Sequence, residues 1–234
     1  MADVHRVSQI LAHARKENRK NLMEHEAKAI CQEYNISVTK FTLARSLEET
    51  VKFAEKIGYP VVLKIVSPHI LHKSDVGGVL LDLNSPREVE QGYSTILTNV
   101  KKLRPNSQIA GILVQEMAPS AVEVIVGAIK DAQFGQTIMF GIGGIFVEVL
   151  DDVVFRITPV TQQEAESMIT EIKAYKMLKG YRNQPPSDTK AVAEIISNTS
   201  KLVTDYAEIK ELDLNPIMVY EKGAKTVDAR IILE

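Results

Sequence analysis

Between residues 60 and 83 the chain reads PVVLKIVSPHILHKSDVGGVLLDL, and the lysine inside its first apolar run is the strongest constraint on the fold. The run 61–66 is rich in Val, Leu and Ile, which predicts a strand. A side-chain period of two puts Val62, Lys64 and Val66 on one face and Val61, Leu63 and Ile65 on the other. Lys64 therefore points where its neighbours are buried. A buried ammonium is costly unless an anion accompanies it; the alternative is a lysine snorkelling out from an edge strand.

The loop that follows, residues 67–76, carries His69, His72, Lys73, Ser74 and Asp75, and Gly77-Gly78 opens a second apolar strand at 79–83. Glycine lets a backbone approach an anion closely and offers its N–H groups to phosphate oxygens. A Gly-Gly pair alone is ordinary hairpin geometry. Placed one strand after Lys64, it points to a phosphate site beneath a loop.

The flanking segments alternate helix and strand. Residues 4–16 and 22–34 carry apolar stripes at helical spacing, the first with a basic outer face suited either to a partner chain or to its own domain. His25 and Glu26 lie in the second stripe and read as structural. Residues 36–41 alternate like a short strand. Ser46 with Glu49, then Gly58, marks the start and stop of one helix, and Ser85-Pro86 opens another that runs to about Leu103. The break at 104–107 and the apolar run after it suggest a boundary between two subdomains near Gly111.

Strands are expected at 112–117 and 122–130, joined as a half-exposed hairpin by residues 118–121. The backbone at Gln115, Glu116 and Met117 could there read the edge of a base, and Glu123 could accept from ribose hydroxyls; solvated hairpin positions are the plainer reading of Glu116 and Glu123. Further strands are expected at 137–140, 146–150 and 153–157, around an acidic turn at Asp151-Asp152. Gly141-Ile142-Gly143-Gly144 lacks the spacing and the following helix of a dinucleotide fingerprint, which excludes a Rossmann reading. A capping box at Thr161–Glu164 opens a helix to about Ala174, and a longer one spans 188–206.

The segment ELDLNPIMVYEKGAKTVDARIILE closes the chain. With residues 221–224 as its turn, it forms a hairpin in which Asp213 and Asn215 share a face and Asn215 lies opposite Arg230 and diagonal to Asp228. Diagonal neighbours sit roughly 7–8 Å apart, within reach of a shared ion. Two carboxylates and an amide oxygen suit Mg²⁺, which completes its shell with water and phosphate; an Asp paired simply with Arg230 is the alternative.

A formal net charge of −2 gives no footing for nucleic acid. The N-terminus has no apolar signal core, and no run reaches the roughly 20 apolar residues of a membrane span, so a cytoplasmic protein is expected. The single cysteine, Cys31, can form no internal disulfide and reads as a core residue.

Five stretches, GYPVVLKIVSPHILHKSDVGGV, VQEMAPSAVEVIVGAIKDAQFG, MFGIGGIFVEVLDDVVFRITPV, MLKGYRNQPP and ELDLNPIMVYEKGAKTVDAR, resemble the ATP-grasp beta subunit of ADP-forming acetyl-CoA (acyl-CoA) synthetases, relatives of succinyl-CoA synthetase. The resemblance runs from about Leu22 to the C-terminus, with Asn183 where many relatives have glycine. It implies an α+β ATP-grasp fold: a helical extension at 1–20, one subdomain at 21–111 with a phosphohistidine loop, and another at 112–234 with the metal-binding hairpin, the two clasping ATP or ADP. It further implies His72 as the phosphoryl relay, with His69 only bracing the loop. Lys64, Gly77, Gly78 and Arg230 would serve the nucleotide, and Gln115, Glu116, Met117 and Glu123 the adenosine. Asp213, Asn215 and Asp228 would hold Mg²⁺. The CoA-binding half is missing, so an alpha subunit is implied, in an α2β2 assembly. A nucleotide-sensing module without chemistry is the rival reading, and a carboxylate-amine ligase acting alone a third.

Overall fold

The computed structural model describes residues 4–144, 152–180 and 185–234. The expected strand at 146–150, and Arg182 and Asn183, lie outside those residues. Two compact units emerge: a larger one of residues 1–22, 26–38 and 119–234, and a smaller one of residues 23–25 and 39–118.

The smaller unit is a four-stranded antiparallel sheet in the order β1-β4-β2-β3, formed by β1 (Phe41–Ala44), β2 (Val61–Val66), β3 (Val79–Leu83) and β4 (Gly111–Glu116). Helices α3 (Leu47–Ile57) and α4 (Pro86–Leu103) begin where the sequence predicts. Ser46 and Ser85 accept from the N–H groups of Glu49 and Glu88, and Gly58 ends α3. Ala54, Val89, Ile96 and Val100 from the helices pack with Val61, Leu63, Ile65, Ile112 and Val114 from the strands. The opposite face of β2 therefore carries Val62, Lys64 and Val66.

The hairpin expected between 112–117 and 122–130 does not form. β4 instead lies between β1 and β2, with Leu113 opposite both Leu43 and Lys64. Residues 112–115 are all buried, as suits a central strand and not a half-exposed hairpin. The break between units accordingly falls after Ala118 rather than at Gly111.

The larger unit is a six-stranded antiparallel sheet in which β5 (Val122–Asp131), β6 (Gly135–Ile142), β7 (Val153–Ile157), β8 (Ile209–Val219) and β10 (Ala229–Leu233) run in the order β10-β8-β5-β6-β7, with β9 (Ala224–Thr226) paired to β8. Inward residues Val124, Val126, Phe140, Leu212, Leu214 and Ile231 share one core with the helices. The helices are α1 (Val4–Lys16), α2 (Glu24–Glu33), α5 (Gln162–Glu171), α6 (Tyr175–Leu178) and α7 (Thr189–Asp205).

The first helix is no outlying extension, because Val7, Leu11 and Ala14 are buried in that core. Residues 20–22 are stitched to β10 through Leu22 N–H to Ile231 O (3.0 Å) and Leu233 N–H to Lys20 O (2.7 Å). Arg19 holds Glu26 through two hydrogen bonds of 2.8 Å, so Glu26 is structural as expected. The strand expected at 36–41 is displaced to β1: Ile36 belongs to the larger core, and Val38 only bridges Thr226. Asp152, expected in a turn, is buried and accepts from the N–H groups of Lys173 (2.8 Å) and Ala174 (2.7 Å), tying β7 to the α5–α6 junction. Burial pushes the Cys31 thiol up to about 12, so it sits in the core as an unreactive thiol.

Among the described residues no helix is long and apolar enough to cross a membrane. Phe140 is wholly buried, whereas Phe134 in the β5–β6 turn is 61% exposed. Phe140→Ala should cost about 3–5 kcal/mol of unfolding free energy. Phe134→Ala should stay within about 0.5 kcal/mol. Urea denaturation of the two variants measures the contrast.

Candidate active site

Lys64 is 4% exposed in the interior of β2, as its position among apolar neighbours requires. Its anion is a protein carboxylate: Nζ lies 2.7 Å from Oε1 of Glu24, the first residue of α2. The other oxygen, Oε2, lies 3.2 Å from Nζ of Lys73. Glu24, 7% exposed, was missed in the sequence, where a glutamate opening a helix looks like many others. Only the contact across 40 positions gives it meaning.

Past β2 the chain is pinned at two points. Ile70 and Val76 are buried with the smaller core, while Leu71 and His72 between them are exposed. His69 is a brace, its Nδ1 accepting from Gln108 N–H at 3.2 Å. A single 3-10 turn, Ser74–Val76, returns the chain toward β3.

Gly77 and Gly78 contribute differently from the phosphate cradle expected of them. The Gly77 N–H donates to Ser74 O (3.0 Å) and the Gly78 N–H to Lys73 O (2.8 Å), so both donors are committed within the loop. Their requirement for glycine is steric. Gly77 has a left-handed φ of 60°, and a Cβ on Gly78 would stand 2.4 Å from Ile65 Cγ2. The pair lets the root of the His72 loop close tightly against β2.

Gln115 likewise differs from the exposed connection expected, being fully buried in β4. Glu116 N–H donates to Lys40 O (2.9 Å), its Oε1 accepts from Lys40 N–H (2.8 Å), and Met117 N–H donates to Pro60 O (3.1 Å). These two backbone donors hold β1 and β2 in place.

In the larger unit, Glu123 borders a cleft of about 570 Å³ lined also by Val122, Gly143, Gly144, Met177 and Tyr220. Gly143 N–H donates to Glu123 O at 2.7 Å, and any Cβ there would lie 2.9 Å from that of Glu123. The Gly-x-Gly-Gly segment thus ends β6 flush against β5 and leaves the Glu123 carboxylate at the cleft wall.

The C-terminal hairpin forms with a register two residues from the one expected. Tyr220 N–H to Gly223 O (3.0 Å) closes a loop of Glu221 and Lys222, tighter than a four-residue turn. Arg230 consequently stands opposite Asp213, not Asn215. Asn215 faces Asp228, its N–H donating to Asp228 O at 3.2 Å. Leu212 and Leu214 point into the core while Asp213 and Asn215 share the outer face, as the period of two predicts.

Burial pushes the Asp213 carboxyl above its ordinary range, against the pull of Arg230 and with a further push from Asp228. Among the described residues no three His, Cys, Asp or Glu side chains are arranged to hold a metal by themselves. Asp213, Asn215 and Asp228 offer two carboxylates and an amide, a hard-oxygen set whose chemistry suits an ion that takes its other ligands from phosphate and water. The mutual repulsion of the two carboxylates fits such a cation.

The model of the ATP-grasp domain matches residues 13–233. Over 233 residues the chain is 48% identical to the beta subunit of acetate–CoA ligase [ADP-forming] I of Pyrococcus furiosus, covering 100% of both chains. It is 50% identical to a structure of acetyl-coenzyme A synthetase 1 of Ca. Korarchaeum cryptofilum, with a TM-score of 0.92 over 97% of this chain and 100% of that one. That structure is of a complex with coenzyme A and acetyl-coenzyme A, with a phosphorylated phosphohistidine segment. Another structure of that enzyme, 47% identical with a TM-score of 0.86 over the same shares, holds coenzyme A and Mg-AMPPCP, its phosphohistidine segment pointing towards the nucleotide binding site. With antiparallel sheets in both units and a family match over nearly its whole length, the chain belongs to the ATP-grasp domain family.

Proposed function

We propose that this chain is the nucleotide-handling beta subunit of an ADP-forming acetate or acyl-CoA ligase, and that His72 carries the phosphoryl group. The observation that carries the reading is the placement of His72: exposed, between the buried anchors Ile70 and Val76, and next to Lys73 in a charge cluster with Lys64. Relatives of full length at 48% identity bear that name.

A neutral imidazole nitrogen is a good nucleophile near neutral pH. In the direction of ATP synthesis, a terminal phosphate oxygen of ADP attacks phosphorus on the ring. The N–P bond breaks, its electron pair returns to the imidazole, and the new P–O bond completes ATP. The preceding step, formation of the acyl phosphate and its transfer onto a first histidine, belongs to a CoA-binding alpha subunit, in an α2β2 assembly. A carrier serving two places needs a loop pinned at its ends and free at its tip.

Lys64 supplies positive charge to the phosphates, and Glu123 with the cleft beside it takes the ribose and base. Asp213, Asn215 and Asp228 would hold Mg²⁺, which when bound screens charge on the phosphates in flight. Arg230, opposite Asp213, keeps that carboxylate in place for the ion.

His72→Ala should abolish acid-labile labelling of the chain by [γ-³²P]ATP and ligase activity with the alpha subunit, while ADP still binds. Retained activity in that variant would sink the relay, and binding without labelling of the wild-type chain would favour a sensing module. Asp213 bears a separate test. Because its folded-state pKa is raised, the ionised carboxylate opposes folding above the unfolded pKa of about 3.9. Asp213→Asn should therefore raise Tm at pH 7 relative to wild type, with the gain fading below pH about 4. The same substitution should weaken Mg²⁺ dependence of nucleotide binding, measured by calorimetry.

A further inference from the structure

We propose that Glu24 is a positioning residue that sets the rest position of the His72 loop, one carboxylate clamping the strand lysine Lys64 and the loop lysine Lys73 together. This rests on the reading of His72 as the carrier. Oε1 is 2.7 Å from Lys64 Nζ and Oε2 is 3.2 Å from Lys73 Nζ, so each oxygen takes a different ammonium. The carboxylate side chain is 3% exposed and that of Lys64 6%, conditions in which charge-assisted contacts are weakly screened.

The Lys73 contact acts on the loop itself. Lys73 follows His72 directly, its carbonyl accepts the Gly78 N–H at 2.8 Å, and its side chain reaches Glu24. Backbone and side chain of one residue thus fasten the C-terminal root of the loop, just beyond the exposed tip.

The Lys64 contact links that fastening to the nucleotide. Both ammonium groups bear on the one carboxylate. Phosphate oxygens arriving at Lys64 compete with Glu24 for its N–H donors. A carboxylate that loses Lys64 loses the geometry in which its second oxygen also holds Lys73, and the loop root is loosened. Glu24 thereby makes the loop's position depend on whether phosphate is present.

Hydrogen–deuterium exchange of the peptide covering residues 67–77, in the full chain, tests this. Glu24→Gln and Lys73→Gln should each speed exchange there by about tenfold, the loss of one weakly screened ion pair, with peptides of α4 unchanged. The double variant should exchange no faster than either single one. ADP with Mg²⁺ should speed exchange of the same peptide in wild type and have little effect in Glu24→Gln.

Wild-type exchange in either single variant, additive effects in the double variant, or a wild-type loop insensitive to ADP would overturn the proposal. If Glu24→Gln fails to fold, Lys73→Gln decides it alone, since the Lys64–Glu24 pair stays intact there. His72→Ala keeps the two readings apart: it should lose the phosphoryl label yet exchange like wild type. A wild-type chain that takes no label would refute the relay while the exchange comparison still stands for or against the clamp.

Discussion

Lys64 sits in a strand flanked by β4 on one side and β3 on the other, and six consecutive residues of that strand are buried. An ammonium group in such a place is stable only beside a counter-charge, because the interior offers no water to solvate it. That requirement accounts for the start of α2: residues 23–25 group with the smaller unit although the rest of the helix belongs to the larger one. It also accounts for Lys73, drawn onto the second oxygen of the same carboxylate. A single buried charge thus organises a helix terminus, a strand and the root of the histidine loop.

The larger unit meets a related constraint at its surface. Asp213, Asp228 and Arg230 lie on the outer side of a hairpin whose inner side, Leu212, Leu214 and Ile231, is core. The core face sets the register, since a slip of one residue would exchange the two faces. A slip of two would keep the faces and change only the partners, so alternation alone cannot choose between Arg230 opposite Asn215 and Arg230 opposite Asp213. The choice is made by the two-residue loop of Glu221 and Lys222, closed by Tyr220 and Gly223.

The two glycine motifs show how one residue type answers different demands. Glycine at 77 and 78 reads from sequence as open N–H groups for an anion, yet both donors are bonded inside the loop, and what is needed is the absence of a Cβ against Ile65 and Asn99. At Gly143 the need is again closeness, here to the backbone of Glu123. Close packing in both places fixes the walls beside the residues assigned to phosphoryl transfer and to the nucleoside.

Most elements were legible because their signals are local. Ser46, Ser85 and Thr161 cap helices where predicted, β2 and β3 have the expected bounds, and Asp213 and Asn215 share a face as a period of two demands. The exposed His72 and the buried Lys64 were likewise marked by their immediate neighbours. What lay outside the sequence was pairing over distance: β4 joined to β1 and β2 rather than to β5, the first helix packed into the larger core, and Glu24 reaching Lys64 from 40 residues away. By itself the sequence determined most of the segments that are helix or strand and raised the burial of a charge as an expectation. Only the tertiary structure decided what would neutralise that charge, because desolvation states the need for a partner without naming it.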